Sequence, residues 1–215
     1  MQNADSLRGR LSCGFTIIEL LVVLGIIAVI MGIVLTSQGN FNRSIVLANT
    51  AYDIALTVRS AETYGISSRA SAASPNTGYG LHFDAGNQSS FILFADTNPA
   101  ASCTTPGCTP PGNHVYTQGL DVLVQTYSLG NNITIQDFCA YINNAWSCAS
   151  NTAGITSLDV VYARPNPTAY MSRNGVYSSS ISAACLLLAS TGGTTRSITI
   201  WGSGAINPNA SPPCP

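Results

Sequence analysis

The chain has 215 residues, enough for one membrane segment and one globular domain. Charged residues make up only 8% of it, far below the roughly 25% of typical soluble domains, and every basic residue is Arg. The formal net charge is −1, which argues against broad electrostatic capture of nucleic acid. The low charge favours an extracellular, densely packed or polymerised protein over a cytosolic enzyme.

The first predicted element is an apolar helix over residues 15–35. Its length is close to the roughly 20 residues that a helix needs to cross a bilayer, yet Glu19 lies inside it. An ionised group in hydrocarbon is costly unless it is paired, so this carboxylate indicates a function. Cleavage between Gly14 and Phe15 would create an α-amino group that could pair with it.

The stretch from Gly14 through the apolar run reads G-F-T-I-I-E-L-L-V-V-L-G-I-I-A-V-I and closely resembles the processing signature of type IV pilins and type II secretion pseudopilins. The resemblance implies that prepilin peptidase cuts after Gly14 and N-methylates Phe15. It also implies that Glu19 pairs with the N-terminus of a neighbouring subunit during assembly. The alternatives are an ordinary anchor with a stray acid, or a secretory signal peptide, whose apolar core is usually shorter and free of acids.

The same resemblance defines the expected partners and location: prepilin peptidase, other pilin or pseudopilin subunits and an inner-membrane assembly platform. Arg8 and Arg10 precede the apolar run and only Arg43 follows it closely, so the N-terminus is predicted to be cytoplasmic. We expect a single-pass inner-membrane protein before assembly and a periplasmic or extracellular fibre afterwards.

Residues 36–70 are predicted to form the outer, amphipathic half of one long helix. Apolar residues recur at spacings of three and four and should face the protein: Leu47, Ala51, Ile54, Val58 and Ala61. Arg59 and Glu62 are three residues apart and could pair on the surface. The polar residues 36–40, with a helix-weakening Gly39, indicate a weak point.

Residues 71–215 are predicted to form a β-rich globular domain. Its short apolar or alternating runs predict seven strands: 79–83, 90–95, 120–127, 133–138, 158–163, 184–189 and 197–201. Residues 84–88 read as a hairpin turn carrying Gly86. With a leader at residues 1–14 and a long helix, the predicted fold class is α+β, in which the amphipathic helix packs on an antiparallel sheet.

Seven cysteines are present, and Cys13 lies in the predicted leader. The remaining even set outside the cytoplasm suggests disulfides. Nearest-neighbour pairing is favoured among several connectivities: Cys103–Cys108, Cys139–Cys148 and Cys185–Cys214. No C-x-x-C pair occurs, so a metal site is not expected.

Weaker resemblances point to the GspH/FimT group of minor pilins and pseudopilins. The matching segments are residues 58–62, with an R-S-x-A-like pattern, the aromatic-Gly strand 78–83, and the late I-T-I strand 198–204. The cysteine set departs from many pseudopilins and favours a surface pilus.

The sequence does not predict an enzyme or a cofactor. No G-x-S-x-G motif surrounds any Ser, and His82 and His114 are the only histidines. Asp84 and Asp96 flank the second strand and could hold a cation, but turn capping explains them better because no calcium-loop pattern is present.

An alternative function is a pilus-tip subunit that binds DNA or a surface. DNA binding would require arginines gathered on one face, and Arg164, Arg173 and Arg196 are the candidates in the C-terminal half. Scattered, solvated arginines are the favoured interpretation, so nucleic acid is not an expected partner.

Overall fold

The protein is described by a computed structural model that covers residues 14–67, 77–98, 112–151 and 154–209, without the side chains of residues 36–40. One helix, α1, runs from Ile17 to Ile66. The predicted long helix is therefore present, and its backbone is helical through residues 36–40, where the sequence indicates a weak point.

Eleven strands follow α1 in the described ranges. Their bounds are Gly78–Asp84 (β1), Asn87–Asp96 (β2), Val122–Ser128 (β3), Ile133–Ile142 (β4), Ala145–Cys148 (β5), Ser157–Tyr162 (β6), Ala169–Arg173 (β7), Val176–Tyr177 (β8), Ile181–Ser190 (β9), Thr195–Trp201 (β10) and Ile206–Asn207 (β11).

These strands form two antiparallel sheets, instead of the single sheet predicted from the sequence. The first sheet has six strands in the order β3-β2-β1-β6-β7-β8, and the second has five in the order β11-β10-β9-β4-β5. All pairings between neighbouring strands in both sheets are antiparallel. The fold is α+β, with an N-terminal hydrophobic helix followed by antiparallel sheets.

The predicted apolar stripe of the helix is buried in the main core, as expected. Leu47, Ala51, Val58 and Ala61 are 0% exposed and Ile54 is 1% exposed. They pack in one cluster with residues of both sheets. The surface pair is present too, because Arg59 Nη1 lies 2.5 Å from Glu62 Oε2.

The chain divides into two compact units, with the boundary between Asn42 and Arg43. Every residue of the main hydrophobic cluster lies after this boundary, at Leu47 or later. The unit 43–215 therefore contains its own core, which is the physical requirement for a domain that folds independently.

Candidate processing and assembly segment

The N-terminal unit carries an apolar surface that no described residue covers. Residues 14–35 are all exposed, from Val34 at 44% to Ile17 at 82% among the large apolar side chains. Residues 17–35 have a mean hydropathy of 3.0, and none of this stretch is buried. Soluble monomers rarely leave so large an apolar surface in water, so this segment is built for a lipid or protein environment.

The helix begins at a side-chain cap, which was not among the sequence-based predictions. Thr16 Oγ1 accepts a hydrogen bond from the backbone N–H of Glu19 at 3.3 Å, and the Thr16 carbonyl accepts from the N–H of Leu20 at 3.2 Å. Thr16 is thus the N-cap, and T-x-x-E is the sequence signature of a capping box. That signature was available in the sequence.

The cap places Glu19 in the first turn of α1. The first turn carries a partial positive charge from unpaired backbone N–H groups, which favours a carboxylate there. The helix N-terminus therefore stabilises the Glu19 carboxylate even without a partner subunit. A neighbour's amine would stabilise it further.

The structure does not itself require glycine at position 14. A side chain built at Gly14 would meet no atom within 4 Å, and the same holds at Gly25. Gly25 does not adopt a left-handed backbone conformation. The described residues around Gly14 therefore leave room for a side chain at that position.

In the C-terminal unit, the disulfide between Cys139 and Cys148 is present, with an S–S distance of 2.00 Å. It joins neighbouring strands, because Cys139 on β4 is the register partner of Cys148 on β5. Cys185 is also disulfide-bonded. Its predicted partner Cys214, as well as Cys103 and Cys108, lies outside the described residues.

Half-buried His82 belongs to a polar trio with the buried Asp159 and Ser172, which was not among the sequence-based predictions. Its Nδ1 lies 2.6 Å from Asp159 Oδ1, and Ser172 Oγ donates to Asp159 Oδ2 at 2.6 Å. In a catalytic triad the imidazole stands between hydroxyl and acid. Here the carboxylate is in the middle, so the trio satisfies buried polar groups and does not activate the Ser hydroxyl.

Asp84 and Asp96, which the sequence suggested as possible cation ligands, both accept hydrogen bonds from backbone N–H groups. Asp84 Oδ1 accepts from the N–H of Gly86 at 2.7 Å in the β1–β2 turn. Asp96 accepts from the N–H groups of Asn113 at 3.1 Å and His114 at 2.7 Å. Asp84 therefore caps its own turn, and Asp96 holds the backbone of residues 113 and 114.

Burial governs the charge of the Asp96 region. Desolvation raises the pKa of Asp96 to about 8, although the two backbone N–H donors oppose the rise. Desolvation also lowers the pKa of His114 to about 4. The His114 ring stacks on Tyr170 with 4.1 Å between centroids. Residues 113 and 114 are thus attached to the six-stranded sheet by groups that are largely uncharged near neutral pH.

Of the three candidate arginines, Arg173 and Arg196 lie in different sheets, and Arg164 lies between β6 and β7. Arg173 is on β7 and contacts the Ser147 hydroxyl at 3.4 Å, while Arg196 is on β10 and contacts Asn209 at 3.0 Å. Neither of these two contacts joins one candidate arginine to another. The structure gives the DNA-binding alternative no support.

Comparison with known proteins bears on the N-terminal segment. Residues 9–35 match the family model described as the prokaryotic N-terminal methylation motif. No curated protein and no solved structure matches the chain. The motif match, on an exposed apolar helix with Glu19 in its first turn, supports assignment of the chain to the type IV pilin and pseudopilin family. The GspH/FimT subgroup stays a prediction.

Proposed function

We propose that the chain is the precursor of a structural, minor subunit of a type IV pilus or type II secretion pseudopilus. Prepilin peptidase cleaves between Gly14 and Phe15 and methylates the new N-terminus. The observation that carries the proposal is the uncovered apolar surface of residues 14–35, which coincides with the methylation motif. The role is assembly, without catalysis or a cofactor.

The apolar segment needs two successive environments. Burying a large apolar side chain contributes about 1.5–3 kcal/mol, so residues that are 44–82% exposed strongly favour a non-aqueous surrounding. The bilayer provides it before assembly, with the N-terminus cytoplasmic. A bundle of such helices from other subunits provides it in the fibre, so extraction by the inner-membrane assembly platform need not expose the segment to water.

Glu19 sets the register of that bundle. An unpaired buried carboxylate costs several kcal/mol, so a subunit that docks without a cation opposite Glu19 is disfavoured. The α-amino group of a neighbour's Phe15 is the cation that processing supplies. The only side-chain charge between residues 15 and 42 is that of Glu19, so no basic side chain of the segment competes for this role.

The processing step is tested by mass spectrometry of the protein from cells with and without the peptidase. We expect the wild type to begin at N-methylated Phe15, and Gly14→Val to keep the leader. Gly25→Val is the matched control, because both glycines have open space around them. A fibre-competent protein that retains residues 1–14 would falsify the proposal.

The assembly step is tested with Glu19→Ala and Glu19→Leu. Both should insert into the membrane normally but enter fibres poorly, as measured by membrane fractionation and by immunoblots of sheared fibres. Thr16→Ala is the control, because it removes the helix cap while keeping the carboxylate. Wild-type incorporation of both Glu19 variants, or equal loss in the Thr16 variant, contradicts the steering role of the charge.

A further inference from the structure

Three disulfide-bonded cysteines lie side by side in the five-stranded sheet. Cys148 on β5 and Cys185 on β9 are both register partners of Cys139, which lies on β4 between them. All three are buried and form a small cluster of their own, separate from the main core. Phe138 and Ala140, which flank Cys139 in β4, belong to the main core, so the three sulfurs lie on the other face of the sheet.

Two separate disulfides meet in this row. Cys139 and Cys148 are bonded to each other, and Cys185 is bonded to a cysteine outside the described residues. Side chains directly opposite each other in an antiparallel pair have Cβ atoms about 4.5–5.5 Å apart, close to the roughly 3.5–4.5 Å that a disulfide spans. A bond between Cys139 and Cys185 therefore requires only a small shift of their two strands.

The order of the three residues across the sheet suits a displacement reaction. Disulfides exchange when a thiolate attacks one sulfur and the other sulfur leaves, and the displacement is easiest when the three sulfurs are close to one line. Register partners on successive strands follow one another across a sheet. Because β4 lies between β9 and β5, Cys185 and Cys148 lie on opposite sides of Cys139.

Thr199 supports the attacking end of this row. Its Oγ1 lies 3.7 Å from Cys185 Sγ and donates a hydrogen bond to it. Thr199 is on β10, on the side of Cys185 away from Cys139. A hydroxyl donor in this position stabilises negative charge on the sulfur without blocking its path to Cys139.

We propose that Cys185, Cys139 and Cys148 form an internal thiol–disulfide exchange site whose co-substrate is a low-molecular-weight thiol. The external thiolate attacks the partner sulfur in the disulfide of Cys185, forms a mixed disulfide with it and releases Cys185 as a thiolate. Cys185 Sγ then attacks Cys139 Sγ, the bond between Cys139 and Cys148 breaks, and Cys148 leaves as a thiolate that takes up a proton. The number of disulfide bonds is unchanged, and the thiol is now on the edge strand β5.

Two reciprocal variants of the full chain test the exchange, in detergent and with Cys13→Ser so that this thiol takes no part. Cys148→Ser and Cys139→Ser break the same disulfide but leave the remaining thiol in different places. In Cys148→Ser the thiol is on Cys139, the register partner of Cys185. In Cys139→Ser it is on Cys148, one strand further from Cys185.

Free thiols are blocked with N-ethylmaleimide, and the disulfides are mapped by mass spectrometry of unreduced peptides. In folded Cys148→Ser we expect a Cys139–Cys185 bond at a level at least about tenfold above that of the same variant oxidised in denaturant, because contact in the fold raises the effective concentration of the two sulfurs. In Cys139→Ser we expect the thiol to stay on Cys148 and Cys185 to keep its original partner.

The proposal is overturned if the thiol stays on Cys139 in Cys148→Ser, or if Cys185 loses its original partner equally in both variants. Both variants lack the same disulfide, so thermal unfolding should show them folded and similarly destabilised. The inference rests on strand register and is independent of the proposed processing and assembly steps.

A second test keeps all three cysteines of the row. The folded Cys13→Ser chain is exposed to reduced glutathione, and thiols are blocked at intervals and mapped in the same way. Exchange predicts that Cys148 is labelled first of the three and that the Cys139–Cys185 peptide appears together with this label. Labelling of Cys185 while the Cys139–Cys148 bond is intact, or labelling of Cys148 without the new peptide, overturns the proposal.

Discussion

The buried stripe of α1 allows a direct test of how the C-terminal unit is stabilised. Leu47 is 0% exposed and belongs to the main core, whereas Leu56 on the same helix is 64% exposed. Leu47→Ala removes three buried carbons worth about 0.8 kcal/mol each and leaves a cavity, so a loss of about 3 kcal/mol is expected. For a domain of this size, that corresponds to a fall in Tm of about 6–12 °C.

The assay is urea and thermal unfolding of residues 43–215 with the disulfides intact. Leu56→Ala provides the control, since it makes the same chemical change and the same change in helix propensity at an exposed site. It should alter the free energy of unfolding by no more than about 0.5 kcal/mol. If the two variants lose similar stability, then the helix is not attached to the sheets through the face described above.

Two further predictions concern the sheets. The pKa of Asp96 is raised in the folded protein, so its contribution to stability is lost as pH rises through about 8. The lowered pKa of His114 makes stability rise with pH instead, but only between about pH 4 and 6.5. Between pH 6.5 and 8 the free energy of unfolding should therefore fall by about 1.5 kcal/mol, and Asp96→Asn should remove most of this fall; a pH-independent wild type would contradict the assignment. The double variant Cys139→Ser/Cys148→Ser, whose disulfide closes a loop with a sequence separation of 9, should lose about 2–3 kcal/mol in chemical denaturation, and unchanged stability would refute this.

Local sequence patterns predicted most elements of the fold. The 3.6-residue periodicity from Leu47 to Ala61 identified the buried face of α1. This works because a helix that packs on one side needs apolar residues on that side only. Each of the seven predicted strands overlaps an observed one, since alternation and β-branched residues mark strands directly. The hairpin turn carrying Gly86 is present between β1 and β2.

Four observed strands, β5, β7, β8 and β11, were not predicted. They are short or weakly apolar, so their extended conformation depends on pairing with a neighbouring strand. Two of their turns did carry a signal. Asn143 and Asn144 have positive φ between β4 and β5, as do Asn174 and Gly175 between β7 and β8. Two-residue loops with positive φ at both positions are the favoured hairpin turns, and Asn-Gly is their strongest sequence marker.

Non-local contacts could not be foreseen. His82 and Asp159 are 77 positions apart and meet because β1 pairs with β6. The arrangement in two sheets instead of one has the same origin, because nothing in a strand's own residues specifies its neighbours. The contacts of Asp96 with Asn113 and His114 likewise depend on how residues 112–121 pack against the strands.

The sequence by itself identified the N-terminal features of this chain: an apolar helix of membrane length that contains a single acid, Glu19, and an N-terminal methylation motif. These features are local, and their physical consequences follow from composition and spacing. Only the tertiary structure decided that β3 stands at an edge of its sheet while β1 lies in the interior of the same sheet. Strand order is set by the total free energy of long-range pairing and core burial, and that sum is not written in any one segment.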